Sequence, residues 1–509
     1  MNRQTDAPDM KLFWGCFIAL IATSFGFIAR VLTADEWGAE FALSQTQVGE
    51  ILGAGLWPFA ISIILFSLVI DRVGYRAAMI FGLLCHTLST VIILLANNYT
   101  MMYLGTFILA LGSGTVEAYI NPVVATMFSK DKTKWLNILH AGWPGGLALG
   151  GIIAIMMGAD VYWKVKIALI LIPTVVYAVM LWNKAFPTNE RVAAGVSYLD
   201  MLKEVGAIGA LIASTMVFME IGRVFSLPLI VTILLIAAAT GVYAYYTRSA
   251  GRPLFILFLL IMLPLATTEL GVDSWITSLM SGSMKEIGIA AGWVLVYTSL
   301  IMMVLRFFAG PIVHKLSPLG LLAVCSGIAA VGLIALSNAT AALAILGAAT
   351  LYGIGKTFFW PTTLGIVAEQ FPRGGAMTLN TVAGVGMLAV GIVGNPFLGN
   401  IQDKNLDHYL AENHAEIHDS YVKLEKQSIF GNYLALDQAA LENAPEKDKQ
   451  VIEEARTVAQ KSALSTVAFL PILMMICYVA LIIYFRSKGG YKPVELHEDP
   501  LGETAPTEM

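Results

Sequence analysis

Leu111-Gly-Ser-Gly-Thr-Val-Glu-Ala-Tyr-Ile-Asn-Pro122 puts a carboxylate, Glu117, in the middle of a run apolar enough to span a membrane. An ionisable side chain at the bilayer centre costs roughly 2.5–3.5 kcal/mol on insertion scales, so such residues face a bundle interior or a watery cavity and mark transport paths. A second reading keeps Glu117 as a buried carboxyl hydrogen-bonded to a neighbouring helix.

Working outward, the whole chain has the composition of that stretch. Of 509 residues, 57% are hydrophobic and only 13% charged, against about 25% charged in an ordinary soluble domain. This is the composition of an all-α polytopic membrane protein. The net charge of −4 and the lack of a long basic run give no sign of a nucleic-acid partner. Cys16, Cys85, Cys325 and Cys477 lie inside apolar segments, which suits packing better than a disulfide framework or a metal cluster. Residues 1–9 are polar and lack a cleavable signal pattern, so Leu12 onward reads as a retained first span.

A span needs about 20 apolar residues. Six such segments run at 12–32, 48–70, 77–96, 101–128, 138–158 and 163–182. Two more, at 205–221 and 227–246, follow a polar connector; Glu220 and Arg223 at their turn leave open whether either lies in the interface instead. A second six follows at 254–272, 290–308, 319–336, 341–368, 376–398 and 464–485. The expected organisation is a six-helix bundle at 1–184, a connector with two extra helices at 185–252, a second six-helix bundle at 253–485 and a tail at 486–509.

Lys and Arg in the short loops set the orientation. Arg72, Arg76, Lys130, Lys132, Lys134, Lys184, Arg191 and Lys203 fall on the amino-terminal side, which makes both termini cytoplasmic in a plasma-membrane protein. A polar insertion, 400–462, then lands outside and reads as two or three surface helices. His414 and His418 there stand one helical turn apart, a spacing that suits either a metal pair or two solvated side chains; the solvated reading is favoured and no metal is expected.

The two sets of six read as repeats. Val69-Ile-Asp-Arg-Val-Gly-Tyr-Arg76 follows the second span of one set, and Ile312-Val-His-Lys-Leu-Ser-Pro318 the second span of the other. The offset that lays Asp71 on His314 also lays Arg30 on Asp273, and matching Asn121-Pro122 to Trp360-Pro361 lays Glu117 on Lys356. Opposite charges thus stand at matching places. Parallel repeats with a site near the midplane between them are how two-bundle transporters are built.

Asp71-Arg-x-Gly-x-Arg76 resembles the loop signature of the major facilitator superfamily. Glu117-Ala-Tyr-Ile-Asn-Pro122, then Leu136-Asn137 with a glycine-rich fifth span, is similar to the fucose, glucose and galactose:proton symporter family, as is Thr268-Glu-Leu-Gly-Val-Asp-Ser-Trp275. The resemblance covers both six-span sets but not the central pair or the insertion. It implies a major facilitator fold, uptake of a hexose-like sugar on an inward cation gradient, and a proton-linked carboxylate at Glu117, with Glu269 as the acid of the seventh core helix. In one departure, that family's fucose permease has an Asp in the first helix where this chain has Arg30.

The residues then take expected roles. Arg30 faces Glu117 and Asp273 faces Lys356, each pair neutralising charges too costly to bury alone, and protonation of Glu117 frees Arg30 to bias one bundle arrangement. The same pairs could serve as static struts. Trp275, Tyr119, Asn121, Trp360, Asn380 and Trp143 are candidate substrate contacts, as aromatic faces and amides suit a sugar. Arg306, ahead of Gly310-Pro311, is a gate or loop anchor, and Asp71, Arg72 and Arg76 brace helix ends. The coupling ion is a proton or sodium, no cofactor is expected, and the partners are a small solute and the bilayer, with the chain a monomer. Competing readings are an exporter and, if Arg30 and Lys356 hold an anionic group, a carrier of sugar acids or other organic anions. An enzyme is disfavoured, for no H-E-x-x-H, G-x-S-x-G or glycine-rich phosphate loop occurs.

Overall fold

The computed structural model of the chain describes residues 8–496 apart from positions 44, 159, 429, 438–439 and 442–443. The expected tail is seen as far as residue 496, and the rest of it lies outside the described residues. Among the described residues, thirteen helices are long and apolar enough to cross a membrane, fourteen when one bent pair is included. The first six are α1 (Met10–Leu32), α2 (Gln47–Val73), α3 (Tyr75–Leu95), α4 (Tyr99–Met127), α5 (Lys132–Met157) and α6 (Trp163–Leu181). The extra pair is α7 (Tyr198–Val224) and α8 (Leu229–Thr247). The second set is α9 (Pro253–Thr277), the bent α10 (Gly292–Phe307 and Ala309–Leu316), α11 (Pro318–Asn338), α12 (Ala342–Gln370), α13 (Pro372–Asn413) and α14 (Glu446–Ser487). In lipid every backbone group must be satisfied within the segment, so apolar runs of this length resolve to helices.

The organisation is six, two, six. The halves meet along α2 with α13 and α5 with α10. Both central helices pass the length and apolarity test, so neither needs an interfacial placement. α7 packs on α13 and α9, while α8 is almost wholly exposed, as a lipid-facing helix would be.

The extra pair is set into the chain at a tight crossing. At Gly206 (φ +62°) the helical path of α7 breaks, and Gly251 (φ +96°) lies against it. Ala207 N donates to Ser249 O at 2.8 Å, and Arg252 N donates to Glu204 O at 3.2 Å. A Cβ on Gly206 would stand 2.0 Å from the Gly251 nitrogen, a clash with backbone that cannot swing away.

The insertion differs from expectation. α13 runs out of the apolar zone to Asn413, a short helix covers Ala415–Tyr421, and then an antiparallel hairpin forms from β1 (Val422–Ser428) and β2 (Gly431–Leu436). Val422 pairs with Leu436 and Glu425 with Leu434. The apolar-polar alternation of Val422-Lys-Leu-Glu has period two, and Gly431 takes φ +98°, which a tight turn requires. Leu406, Leu410, Val422, Leu436, Ile452 and Ala455 give the insertion its own small core. His418 is held by Asp407 at 2.7 Å and Asp419 at 3.0 Å, and His414 lies by Tyr409; among the described residues no group of three metal-ligating side chains assembles.

Two outcomes follow. Gly206→Ala lowers stability by about 2–4 kcal/mol, since it adds both a clash and a disfavoured φ, and is read as a fall in apparent Tm. Asp419 and Asp407 raise the His418 pKa above the usual value of about 6.5. A raised folded pKa contributes stability that is complete below the unfolded value and fades as pH climbs through the folded one. Hydrogen exchange in the insertion, corrected for intrinsic rate, therefore quickens as pH climbs above about 6.5 and through the raised folded value, and His418→Gln removes that dependence.

Candidate functional site

Three prolines prepare the centre of the molecule. A proline inside a helix has no N–H for the carbonyl four residues earlier, so that oxygen needs another donor. Pro144 leaves the His140 carbonyl, Pro361 that of Thr357 and Pro122 that of Ala118. Arg306 takes two of them, donating from Nη1 to His140 O at 2.7 Å and from Nε to Thr357 O at 2.6 Å. Asn380 Nδ2 takes the third, reaching Ala118 O across the two halves at 3.0 Å.

Arg306 completes its fork with a carboxylate, Nη2 donating to Glu269 Oε1 at 2.9 Å. The two side chains are 1% and 2% exposed, so the pair is fully desolvated. Glu269 sits on a π-helical turn, Thr267–Gly271, just beyond Pro264. Such single-turn distortions recur at functional sites. Its second oxygen accepts from the Trp360 backbone N–H at 3.1 Å.

Facing this pair from the amino-terminal half is Glu117. Asn121 Nδ2 donates to Glu117 Oε2 at 2.7 Å, which leaves Asn121 Oδ1 to accept from His140 Nε2 at 2.9 Å. The hydrogen-bond pattern therefore assigns the proton of His140 to Nε2. Glu117, His140, Glu269 and Arg306 line one small cavity of about 20 Å³. Trp143 and Trp360 give it aromatic walls, and Phe59, Leu270 and Met387 the rest. That leaves room for about one water molecule, so the side chains stand nearly closed on one another.

The expected charge pairing is half corrected. Arg30 does not reach Glu117: its Nε donates to Gly26 O of its own helix at 3.0 Å, and its guanidinium lies against Gly55. The place across the cavity from Glu117 belongs to Arg306. Asp273 and Lys356 do meet in an ion pair, and Lys356 Nζ also donates to Thr298 Oγ1 at 3.3 Å and sits over the Tyr352 ring at 4.8 Å. Lys356 is thereby spoken for and has no place for an anion.

Of the six expected substrate contacts, Trp143 and Trp360 line the cavity, and Asn121 stands one hydrogen bond behind it. Tyr119 is buried inside the first half beside Phe186, Trp275 donates to Asn395 Oδ1 at 3.1 Å, and Asn380 ties the halves together. Arg306 lies at the cavity and not in the loop beside Gly310. His140 was absent from the expected set, although it stands three residues before Trp143 on the same helical face. A histidine within an apolar span, followed by a proline four residues on, was its signal.

The end bearing the termini is latched shut. Lys132 pairs with Glu190 at 2.5 Å, Thr133 Oγ1 donates to Glu369 Oε1 at 2.5 Å, and Asn137 Nδ2 donates to Thr362 Oγ1 at 3.0 Å across the halves. Asp71 accepts from Arg191 at 2.6 Å, Arg72 stacks on Tyr198 at 4.6 Å, and Arg76 is exposed.

These arrangements separate the two carboxylates in a way that melting measures. Glu269→Gln strands a buried guanidinium and costs about 3–5 kcal/mol of stability. Glu117→Gln strands no cation and stays within about 1 kcal/mol of the parent.

The sequence profile of the Major Facilitator Superfamily matches residues 12–395. A gentisate transporter of Corynebacterium glutamicum is 25% identical over 174 residues, covering 33% of this chain and 38% of that protein. The E. coli fucose:proton symporter superposes with a TM-score of 0.55 at 16% identity, over 90% of this chain and 98% of that one. The proton:xylose symporter, in its complex with 6-bromo-6-deoxy-D-glucose, gives a TM-score of 0.60 at 13% identity, over 92% and 95%. At such identities the likeness is one of fold.

Proposed function

The chain belongs to the major facilitator superfamily, and from that premise we propose that it carries a small polar solute, a sugar or a near relative of one, across the plasma membrane with a proton by alternating access. The observation that carries this reading is a cavity holding two carboxylates and one guanidinium, drawn from both halves. Protonating Glu269 would leave Arg306 buried without its partner. Protonating Glu117 leaves no cation bare, so Glu117 is the group that can load and release a proton within the cycle. Asn121 and His140 hold its orientation, and the indoles of Trp143 and Trp360 suit the apolar faces of a sugar ring.

In this reading the latched end is cytoplasmic, and the solute loads from the opposite side. Breaking the Thr133–Glu369 and Asn137–Thr362 contacts would open the path inward, with a proton on Glu117 shifting the balance between the two arrangements. The names of the fucose and xylose symporters support the sugar class, and that of the gentisate transporter supports the organic-anion alternative.

Proteoliposomes under an imposed inward proton gradient test the proposal. A labelled solute of this class, sugar or sugar acid, accumulates with the parent protein. With Glu117→Gln the gradient no longer drives accumulation, while solute exchange under equal pH persists. Gradient-driven accumulation that survives in Glu117→Gln would remove Glu117 from coupling, and efflux under the same gradient would point to an exporter.

A further inference from the structure

Arg30 is a buried cation that the coupling scheme leaves unused. It is 4% exposed, its one hydrogen bond is to the Gly26 carbonyl, and its Nη1 has no hydrogen-bond partner among the described residues. Three acids of that end are engaged elsewhere: Glu36 with Lys166 at 2.5 Å, Glu40 with Trp163 at 2.5 Å and Glu50 with Tyr99 at 2.7 Å. The guanidinium lies beside Gly55, two residues past the carbonyl end of a helical turn at Gly53. A buried guanidinium without a countercharge is costly, and the cost is accounted for when an anion arrives.

Its position relates it to the cavity. Trp143, on the cavity wall, packs against Phe27 at 6.2 Å and Phe59 at 6.4 Å. Three residues on from Phe27 is Arg30, and four residues back from Phe59 is Gly55, which touches it. α1 and α2 run in opposite directions, so both steps lead away from the latched end by about one helical turn, roughly 5 Å. Gly55 has no side chain to fill the space: a Cβ there would lie 2.4 Å from Arg30 Nη1. The Trp143 indole Nε1 is a second buried donor with no partner among the described residues. Two unmet donors, one of them cationic, therefore stand a turn apart on the approach to the cavity.

We propose that Arg30 and the Trp143 indole N–H form an anion subsite, so that the solute is a small hydroxylated carboxylate whose charge docks at Arg30 while its hydroxyls enter the cavity. The assignment rests on the cavity being the solute's site. An anion moving with one proton on Glu117 crosses without net charge. Lys356, bound to Asp273, takes no part.

The test is binding to the purified full chain, read as a shift in apparent Tm, with D-gluconate, D-galactonate and D-glucuronate against D-glucose, D-galactose and L-fucose as neutral counterparts. The carboxylates stabilise the parent protein and the neutral sugars do not. Arg30→Gln raises the half-saturating carboxylate concentration about tenfold or more, Arg30→Lys gives an intermediate value, and Trp143→Phe, which keeps the ring and loses the donor, weakens binding as well. Ligand-free Arg30→Gln melts no lower than the parent, because no ion pair is broken. The subsite is overturned if no carboxylate shifts the parent protein, if carboxylates shift parent and Arg30→Gln alike, or if ligand-free Arg30→Gln melts lower with binding unchanged. Proton-driven uptake of a neutral sugar, equal in parent and Arg30→Gln, overturns the subsite and leaves the transport reading intact. Carboxylate binding that depends on Arg30, without any response of flux to a proton gradient, supports the subsite and defeats proton coupling.

Discussion

A single guanidinium organises the interior. Arg306 is buried to 1% exposure and binds a carbonyl of the first half, a carbonyl of the second and a carboxylate. A charge that far from water is tolerable only if every donor direction is met. The prolines meet that demand from the other side, because each leaves a carbonyl that the helix cannot use. Pro144 and Pro361 are thus as much a part of the site as the charged residues. The arrangement also joins the two halves at the level where a carrier must let them move.

That joint is asymmetric. Glu269 is bound to Arg306 and to the Trp360 amide, whereas among the described residues Glu117 is bound by the Asn121 side-chain amide alone. Two like groups in one cavity therefore have different freedom, and the difference comes from their neighbours and not from their chemistry. The Asp273–Lys356 pair has its own hydroxyl partner in Thr298 and stands within electrostatic reach of Glu269 and Arg306.

The additions to the twelve-helix core leave this centre alone. The α7–α8 hairpin starts and finishes at the Gly206–Gly251 crossing, so it can be carried without altering the ends of the flanking helices. It packs on α13 and α9 from outside. The insertion between α13 and α14 folds around its own apolar residues at the opposite end from the latch. Neither contributes a lining residue to the central cavity.

The sequence alone determined the class, the fourteen helices and most of their limits, because hydrocarbon forces any long apolar run into a helix whatever its neighbours. It also marked Glu117, Glu269, Trp143 and Trp360, since charged and aromatic residues stand out against an apolar background. It missed the hairpin at 422–436, where a short alternating stretch amid helix formers carries a weak signal. Which charge meets which was decided only by the tertiary structure. Repeat symmetry set Arg30 opposite Glu117, but the depth of each residue along its helix, and the carbonyls freed by Pro144 and Pro361, put Arg306 there instead. Pairing depends on three-dimensional distance between helices far apart in the chain, and the periodicity of a single helix holds no record of it.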